Sequence, residues 1–409
     1  MREPSPVVAE IQGLYGPFSF PEKLLQKIWL RGDFDRRRAI TTDGHSVAVI
    51  SPGKWNLLGG PDFLGARIRI GDSAEITGDV ELHLRASDWG AHGHAGDPAY
   101  HHVVLHVVLF PPDVGCVTRG AGGRVIPVVA LLPLLHHDLE EFAADDAVET
   151  LAGRTHAKVS EKLAGLSNPA LMVVLRESAQ ARWRQKVRFA RLRIERLGWG
   201  NACHHTALEI LGYRFNRAPM LNVASRWPLA DWSGSQPGPA VMFDEFLDGW
   251  SLHGVRPANH PRTRLRQYEA WTRAQPNWPE LFVRFREPRR DCGPAAEDLA
   301  STPEIRRRLQ FAGLRKRFAA EICGAALGGS RLDNLICDGF FPLLAARAGQ
   351  SDLAGSWYGV WYHWFAGDMP PVVMRSLREL GVFSGQMQPS CHGAAQGLLG
   401  WLLAQEARS

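Results

Sequence analysis

The chain has 409 residues, and no two of its six cysteines stand at CxxC spacing. Neither a structural zinc ribbon nor a disulfide framework is therefore indicated. Free thiols in a reducing compartment are the simplest reading, so the expected location is cytoplasmic. Long apolar runs are missing too. The longest, VVLHVVLF and VIPVVALLPLL, are too short or too broken to span a bilayer, and no membrane partner is expected. The opening residues MREPSPVVAEIQGLYG lack the apolar core of a secretory leader. There is no GxSxG elbow, no P-loop, no HExxH and no GxGxxG set between a strand and a helix. Charge of one sign is also scarce. A net charge of +5 is compatible with a nucleic-acid partner and does not require one.

What is present is the composition of an ordinary globular protein, 45% hydrophobic and 22% charged, long enough to bury a full core. EKLLQKIWLR (Glu22–Arg31) has Leu24, Leu25, Ile28 and Trp29 on one helical face. Glu22 stands at its start, where the helix dipole favours a carboxylate. AITTDGHSVAVI reads as a hairpin turning at Asp43-Gly44. ARIRI and DVELHLR alternate apolar and polar residues, as strands with one buried face do. VVLHVVLF is a more deeply buried strand, and RVIPVVALL another. From about Pro133 the period becomes helical. A basic, amphipathic helix begins at Asn168-Pro169 and is expected to close at Gly198. Its polar face carries Arg176, Arg182, Lys186 and Arg193 among others. The expected class is α+β: a β-rich domain over 1–135, then a larger, mainly helical domain over 136–409.

Acidic residues and histidines crowd between Gly59 and Phe110 as nowhere else. Asp62 precedes one strand of a predicted hairpin and Glu81 lies on the next. Adjacent strands sit under about 5 Å apart, and Glu81 and His83, two residues apart, share a face. That brings two carboxylates and an imidazole to one end of a small sheet, a donor set suited to Mg²⁺ or Mn²⁺. A structural reading competes at each position. Asp62 could cap a turn, and Glu81 could face solvent from a half-exposed strand. In the DWxxHGH run, Asp88, Trp89, His92 and His94 form a second set. Two histidines at HxH spacing with others nearby also suit zinc or iron. The plain alternative there is a structural loop, with Trp89 as a plug and Asp88 as a cap.

Pro61-Asp62 followed by Glu81-x-His83 resembles the signature of the PD-(D/E)xK nuclease superfamily. The resemblance implies a metal-dependent phosphodiesterase with a nuclease-like sheet. Asp62 and Glu81 would bind the metal, and Glu22, on the preceding helix, would be an outer ligand. His83 stands where that family usually has Lys; it would position or activate water, and Lys54 is the nearby cation that could substitute. His92 and His94 would contact phosphate or move protons, with Asp88, Trp89, Arg85 and Lys54 as substrate-binding candidates. The helical domain would hold nucleic acid. A His-cluster metallohydrolase using zinc or iron, and a non-catalytic binding protein, are the rival expectations. At GPDF, GDVELH, SDWxxHGHxxDPAY and VxLHVV the sequence also resembles a bacterial family known as domain of unknown function 2851. LGYRFNRAPM and GVRPANHPRTRLRQYEAW fit that family's helical part.

Overall fold

The structure is a computed structural model and describes residues 8–13, 16–113, 115–152, 159–213, 215–232, 234, 237–285, 301–349, 356–382 and 391–406. Residues 1–7, which open the stretch searched for a leader, lie outside them. The protein is α+β, and its chain divides into two compact units. One comprises Met1–Ala143, Arg214–Arg226 and Asp244–His253, and the other holds the remainder. Among the described residues no helix is long and apolar enough to cross a membrane.

In the first unit, strands β1 (Val8–Gly13) and β2 (Gly16–Pro21) pair antiparallel and lead into helix α1 (Glu22–Arg31). The expected face of α1, Leu24, Leu25, Ile28 and Trp29, is buried, and Gly32 ends the helix in the left-handed conformation at φ 60°. A meander follows: β3 (Val47–Ser51), the short β4 (Lys54–Trp55), β5 (Phe63–Ile70) and β6 (Ile76–His83). The chain then crosses over through the single-turn helix α2 (Asp88–Ala91) and two 3₁₀ turns to β7 (Val103–Val108). Strand β7 runs parallel to β6, whereas β5 pairs antiparallel with both β6 and β3. The sheet order is β10-β7-β6-β5-β3, with β4 beside β5 and β10 (Val128–Ala130) parallel to β7.

The two faces of this sheet are covered differently. Val80, Leu82, Leu105 and Val107 pack with the apolar stripe of α1 in the main core. Trp89 and Tyr100 of the crossover form a second cluster with Val103 and Ile126. Burial from both sides explains why Val80, Glu81, Leu82 and His83 are all buried, although a strand with one covered face would alternate.

One expectation needs correction. RVIPVVALL does not form one strand. Pro127 has no N–H for a ladder and separates β9 (Val125–Ile126), which pairs with β8 (Thr118–Arg119), from β10. The basic helix starts at Asn168 and closes at Gly198 as expected, that residue leaving the helical region at φ 74°, ψ 165° before a second helix continues to Leu211. On it Arg193 turns inward: its Nη1 donates to Glu209 Oε2 at 2.7 Å and Thr206 Oγ1 at 2.9 Å, so the basic face is partly an internal ion-pair surface.

Candidate metal centre

Strand β6 supplies the floor of the site. Glu81 and His83 point to the crossover face and are 6% and 1% exposed, so the solvent-facing reading of Glu81 does not hold. Glu81 Oε2 accepts the Asp62 N–H at 3.0 Å, and Asp62 Oδ2 accepts the Leu82 N–H at 3.0 Å. The two carboxylates thus clasp the β5–β6 ladder where its register shifts. Asp62 Oδ1 accepts from Gln26 Nε2 at 2.6 Å, and Gln26 Oε1 accepts from Trp55 Nε1 at 3.1 Å. Gln26 lies one turn after Glu22 on α1. Glu22 is within electrostatic reach of Asp62, and its Oε1 is buried with no hydrogen-bond partner among the described residues.

The crossover supplies the roof. His83 Nε2 lies 3.1 Å from His92 Nδ1 and 3.3 Å from His94 Nε2. Glu81 Oε1 lies 3.5 Å from His83 Nε2 and 3.4 Å from His94 Nε2. One imidazole nitrogen offers a single N–H or a single lone pair, so hydrogen bonds cannot satisfy this crowd around His83 Nε2. A shared cation can. Four donors around a tetrahedral ion with bonds of about 2.1 Å sit about 3.4 Å from one another. The Glu81–His83–His94 triangle has sides of 3.3, 3.4 and 3.5 Å. His92 completes a three-histidine set whose donor atoms all lie within 4.8 Å of one another, and it is the exposed member.

Neighbours fix these rings. His83 Nδ1 is 2.9 Å from His106 Nε2, and His106 Nδ1 is 2.8 Å from Thr118 Oγ1, all three residues being buried. If His83 Nδ1–H donates to His106 and His106 Nδ1–H donates to Thr118, His83 Nε2 is left as a bare lone pair facing the cluster. Tyr100 stacks on His94 with centroids 3.8 Å apart. The electrostatics agree with a dry, cation-poor pocket. Burial, then neighbouring imidazoles, push His83 down to about 2, and burial followed by His92 pushes His94 down to about 4. His106 falls to about 3, again chiefly through burial. Burial and then the Asp62 and Asp88 charges raise Glu22 to about 8. Burial also raises Asp62 and Glu81, and the charge of Asp62 adds to the rise at Glu81.

The structure thus gathers Glu22, Asp62, Glu81, His83, His92 and His94 at one end of the sheet. The other candidates serve differently. Asp88 Oδ2 accepts the Arg85 N–H at 3.0 Å, a local cap. Trp89 is buried and donates from Nε1 to Arg119 O at 2.9 Å. The Arg85 guanidinium lies 5.0 Å over the Phe110 ring. Lys54 is exposed and has no hydrogen bond or ion pair among the described residues. Sequence reasoning did not find Gln26 or Thr118, nor the contact of His106 with His83. The i, i+4 spacing from Glu22 could have found Gln26, whereas His106 depends on the parallel pairing that sets it opposite Glu81.

The profile of a family described as Protein of unknown function (DUF2851) matches residues 22–237. The chain belongs to this family. The matched segment contains every donor of the centre, from Glu22 to His94, and the positioning pair His106 and Thr118. No curated protein and no solved structure matches the chain.

Proposed function

We propose that this protein is a metal-dependent hydrolase whose metal is of the zinc or iron class. The observation that carries the reading is the near-equilateral triangle of Glu81 Oε1, His83 Nε2 and His94 Nε2, with His92 Nδ1 beside it. Glu81, His83, His92 and His94 would hold the ion, and the imidazole-rich donor set fits a borderline metal better than Mg²⁺. When bound, the metal supplies a Lewis acid that polarises a scissile ester bond and the attacking water. His106 and Thr118 hold the His83 ring in its ligand tautomer. Gln26 and the Leu82 N–H hold Asp62, whose own N–H orients Glu81. Glu22, raised to about 8, keeps a proton at neutral pH and can deliver it to a leaving-group oxygen as general acid. Substrate approaches from the side of His92, the exposed ligand.

Phosphodiesters, including nucleic acid, are the first substrate class to test. A second reading, a nuclease-type centre with Mg²⁺ or Mn²⁺ on Glu22, Asp62 and Glu81, is favoured by one observation: Glu22 Oε1 is buried without a partner beside two further carboxylates. The order helix, antiparallel meander, crossover and parallel strand also supports it. One experiment separates the readings. Protein stripped with chelator is reloaded with Zn²⁺, Fe²⁺, Mn²⁺ or Mg²⁺. Bound metal is then counted, and hydrolysis of a bis-aryl phosphate and of labelled DNA and RNA is followed. Stoichiometric zinc or iron that His94→Ala abolishes, with hydrolysis depending on it, supports the first. Activity with Mg²⁺ or Mn²⁺ that survives His94→Ala but not Asp62→Ala supports the second. Metal binding without turnover of any ester sinks both and leaves a binding protein.

A further inference from the structure

The second unit buries two arginines with fewer counter-charges than guanidiniums in hydrogen-bond reach. Arg264 lies on the helix Pro261–Ala274, within the stretch GVRPANHPRTRLRQYEAW. It is 7% exposed, yet its hydrogen bonds go only to neutral side-chain amides: Nη1 donates to Gln267 Oε1 at 2.8 Å and Nη2 to Asn259 Oδ1 at 2.5 Å. Among the described residues no carboxylate forms an ion pair with Arg264, and its Nε is buried with no partner. Arg331, on the helix Gly329–Asn334, is 6% exposed. It donates from Nη2 to Asp368 Oδ2 at 3.1 Å and from Nη1 to Ile210 O at 3.4 Å, and its Nε is likewise buried without a partner. The Arg331 guanidinium lies 4.5 Å over the ring of Tyr213, from the stretch LGYRFNRAPM. Tyr213 adopts φ 58°, a left-handed conformation that a bulky residue rarely takes and that surrounding structure must hold.

The charges do not balance. Burial first, and the Arg331 charge second, lower Arg264 to about 10, with Asp368 opposing. The two guanidiniums and one carboxylate therefore act on one another. The Asp368 side chain is 40% exposed, so the cluster reaches solvent on that side and this counter-charge is weakened by water; Asp338 acts on Arg331 as well, but it is paired with Lys186. Guanidinium does not shed its proton near neutrality, so a buried unpaired fork cannot relax by titrating as a lysine would. A neutral solvent molecule can accept from an orphan Nε–H but leaves the charge in place. An anion offers both an acceptor for such a donor and the missing counter-charge.

We propose that Arg264 and Arg331 form a binding site for a small oxyanion, the phosphate or carboxylate group of a ligand that enters past Asp368. Two planar forks suit such a group, because each presents parallel N–H donors to a pair of oxygens. The site belongs to the helical unit and does not depend on the hydrolase reading.

The test uses the full chain stripped of metal with chelator, so that the first unit's centre does not compete for the anion. Inorganic phosphate and acetate are titrated separately at constant ionic strength, with chloride as control, by calorimetry and by thermal shift. One saturable site per chain is expected. A response to phosphate alone, or to acetate alone, identifies the group, and either supports the site. Arg264→Met should weaken binding by about ten-fold or more, the effect of losing a charge-assisted fork. In anion-free buffer the same variant should melt no lower than wild type, because it removes an uncompensated buried charge. Asp368→Asn, at a part-exposed position, should shift binding the opposite way and tighten it several-fold. The proposal is overturned if neither anion gives a saturable response in the wild type. It is equally overturned if Arg264→Met melts lower with binding unchanged, or if Asp368→Asn leaves affinity unchanged.

Discussion

Replacing Glu22 by Gln should stabilise the metal-free protein by an amount that grows as pH rises from about 4.5 to about 8. Burial and neighbouring carboxylates raise Glu22 from 4.5 to about 8. An acid whose folded pKa lies above its unfolded value contributes full stability below the unfolded value and loses it as pH rises through the folded one. The window therefore opens near 4.5 and closes near 8. Across it the shift corresponds to an upper bound of about 5 kcal/mol, and partial exposure of the side chain reduces this to about 2–3 kcal/mol. Glutamine keeps the shape and discards the titration. At about pH 5 variant and wild type should melt together, and at about pH 8 the variant should melt higher by about 5–10 °C in the first unit. The assay is a pair of thermal melts with chelator present, followed by the near-ultraviolet signal, from about pH 5 to pH 9. Saturating zinc should shrink the advantage without erasing it, since a cation relieves the carboxylate repulsion but not the burial that is the larger cause. A difference that stays constant with pH, or a variant less stable at alkaline pH, would refute the electrostatic account of the site.

Glu81→Gln should retain the acceptor for the Asp62 N–H yet lower bound zinc at least ten-fold on removing one ligand charge, read as metal per chain after dialysis. Thr118→Val touches no ligand but strips the acceptor from His106; metal affinity measured against a chromophoric chelator should fall about ten-fold, and an unchanged affinity would refute the relay. Gly78→Ala would set a Cβ 2.3 Å from Val104 Cγ1 and 2.8 Å from the His102 carbonyl, pushing β6 off β7. A loss of about 2 kcal/mol or more is expected by denaturant titration, with metal uptake falling in parallel. On the acid side, His83, His94 and His106 are held below their ordinary values, so metal-free protein should lose stability as pH falls below about 6.5, where the unfolded chain takes up protons that the folded one refuses.

Much of the architecture could be read from the chain. The apolar stripe of α1 and the alternation of β5 are local patterns, and each reports one covered face; the alternation of β6 misled, because both its faces are covered. The crowding of Asp62, Glu81, His83, His92 and His94 was visible as composition alone. What could not be read was convergence. Glu81 faces His94 because β7 returns parallel to β6 and the crossover folds back over the same face, and no periodicity encodes that path. The sequence also divided the donors into a carboxylate set and a histidine set. In space Glu81 belongs to both, with one oxygen on the Asp62 amide and the other toward the imidazoles. Pro127 shows a different error, in which a local breaker was given too little weight in a strand, whereas Gly198 broke its helix as read.

The crossover between β6 and β7 carries two of the proposed ligands, His92 and His94, while the other two, Glu81 and His83, stand on β6 itself. An ion bound there would tie the ends of a loop of roughly 15 residues, a restraint that, for a cross-link of that span, removes about 3 kcal/mol of chain entropy from the opened state. It would do so where the segment is weakest, since α2 is a single turn and the rest is 3₁₀ turns. Order in this segment would then track metal supply: the crossover would exchange its amide protons and be nicked by protease faster without the ion than with it, since opening would require the ion to leave or the sheet to part.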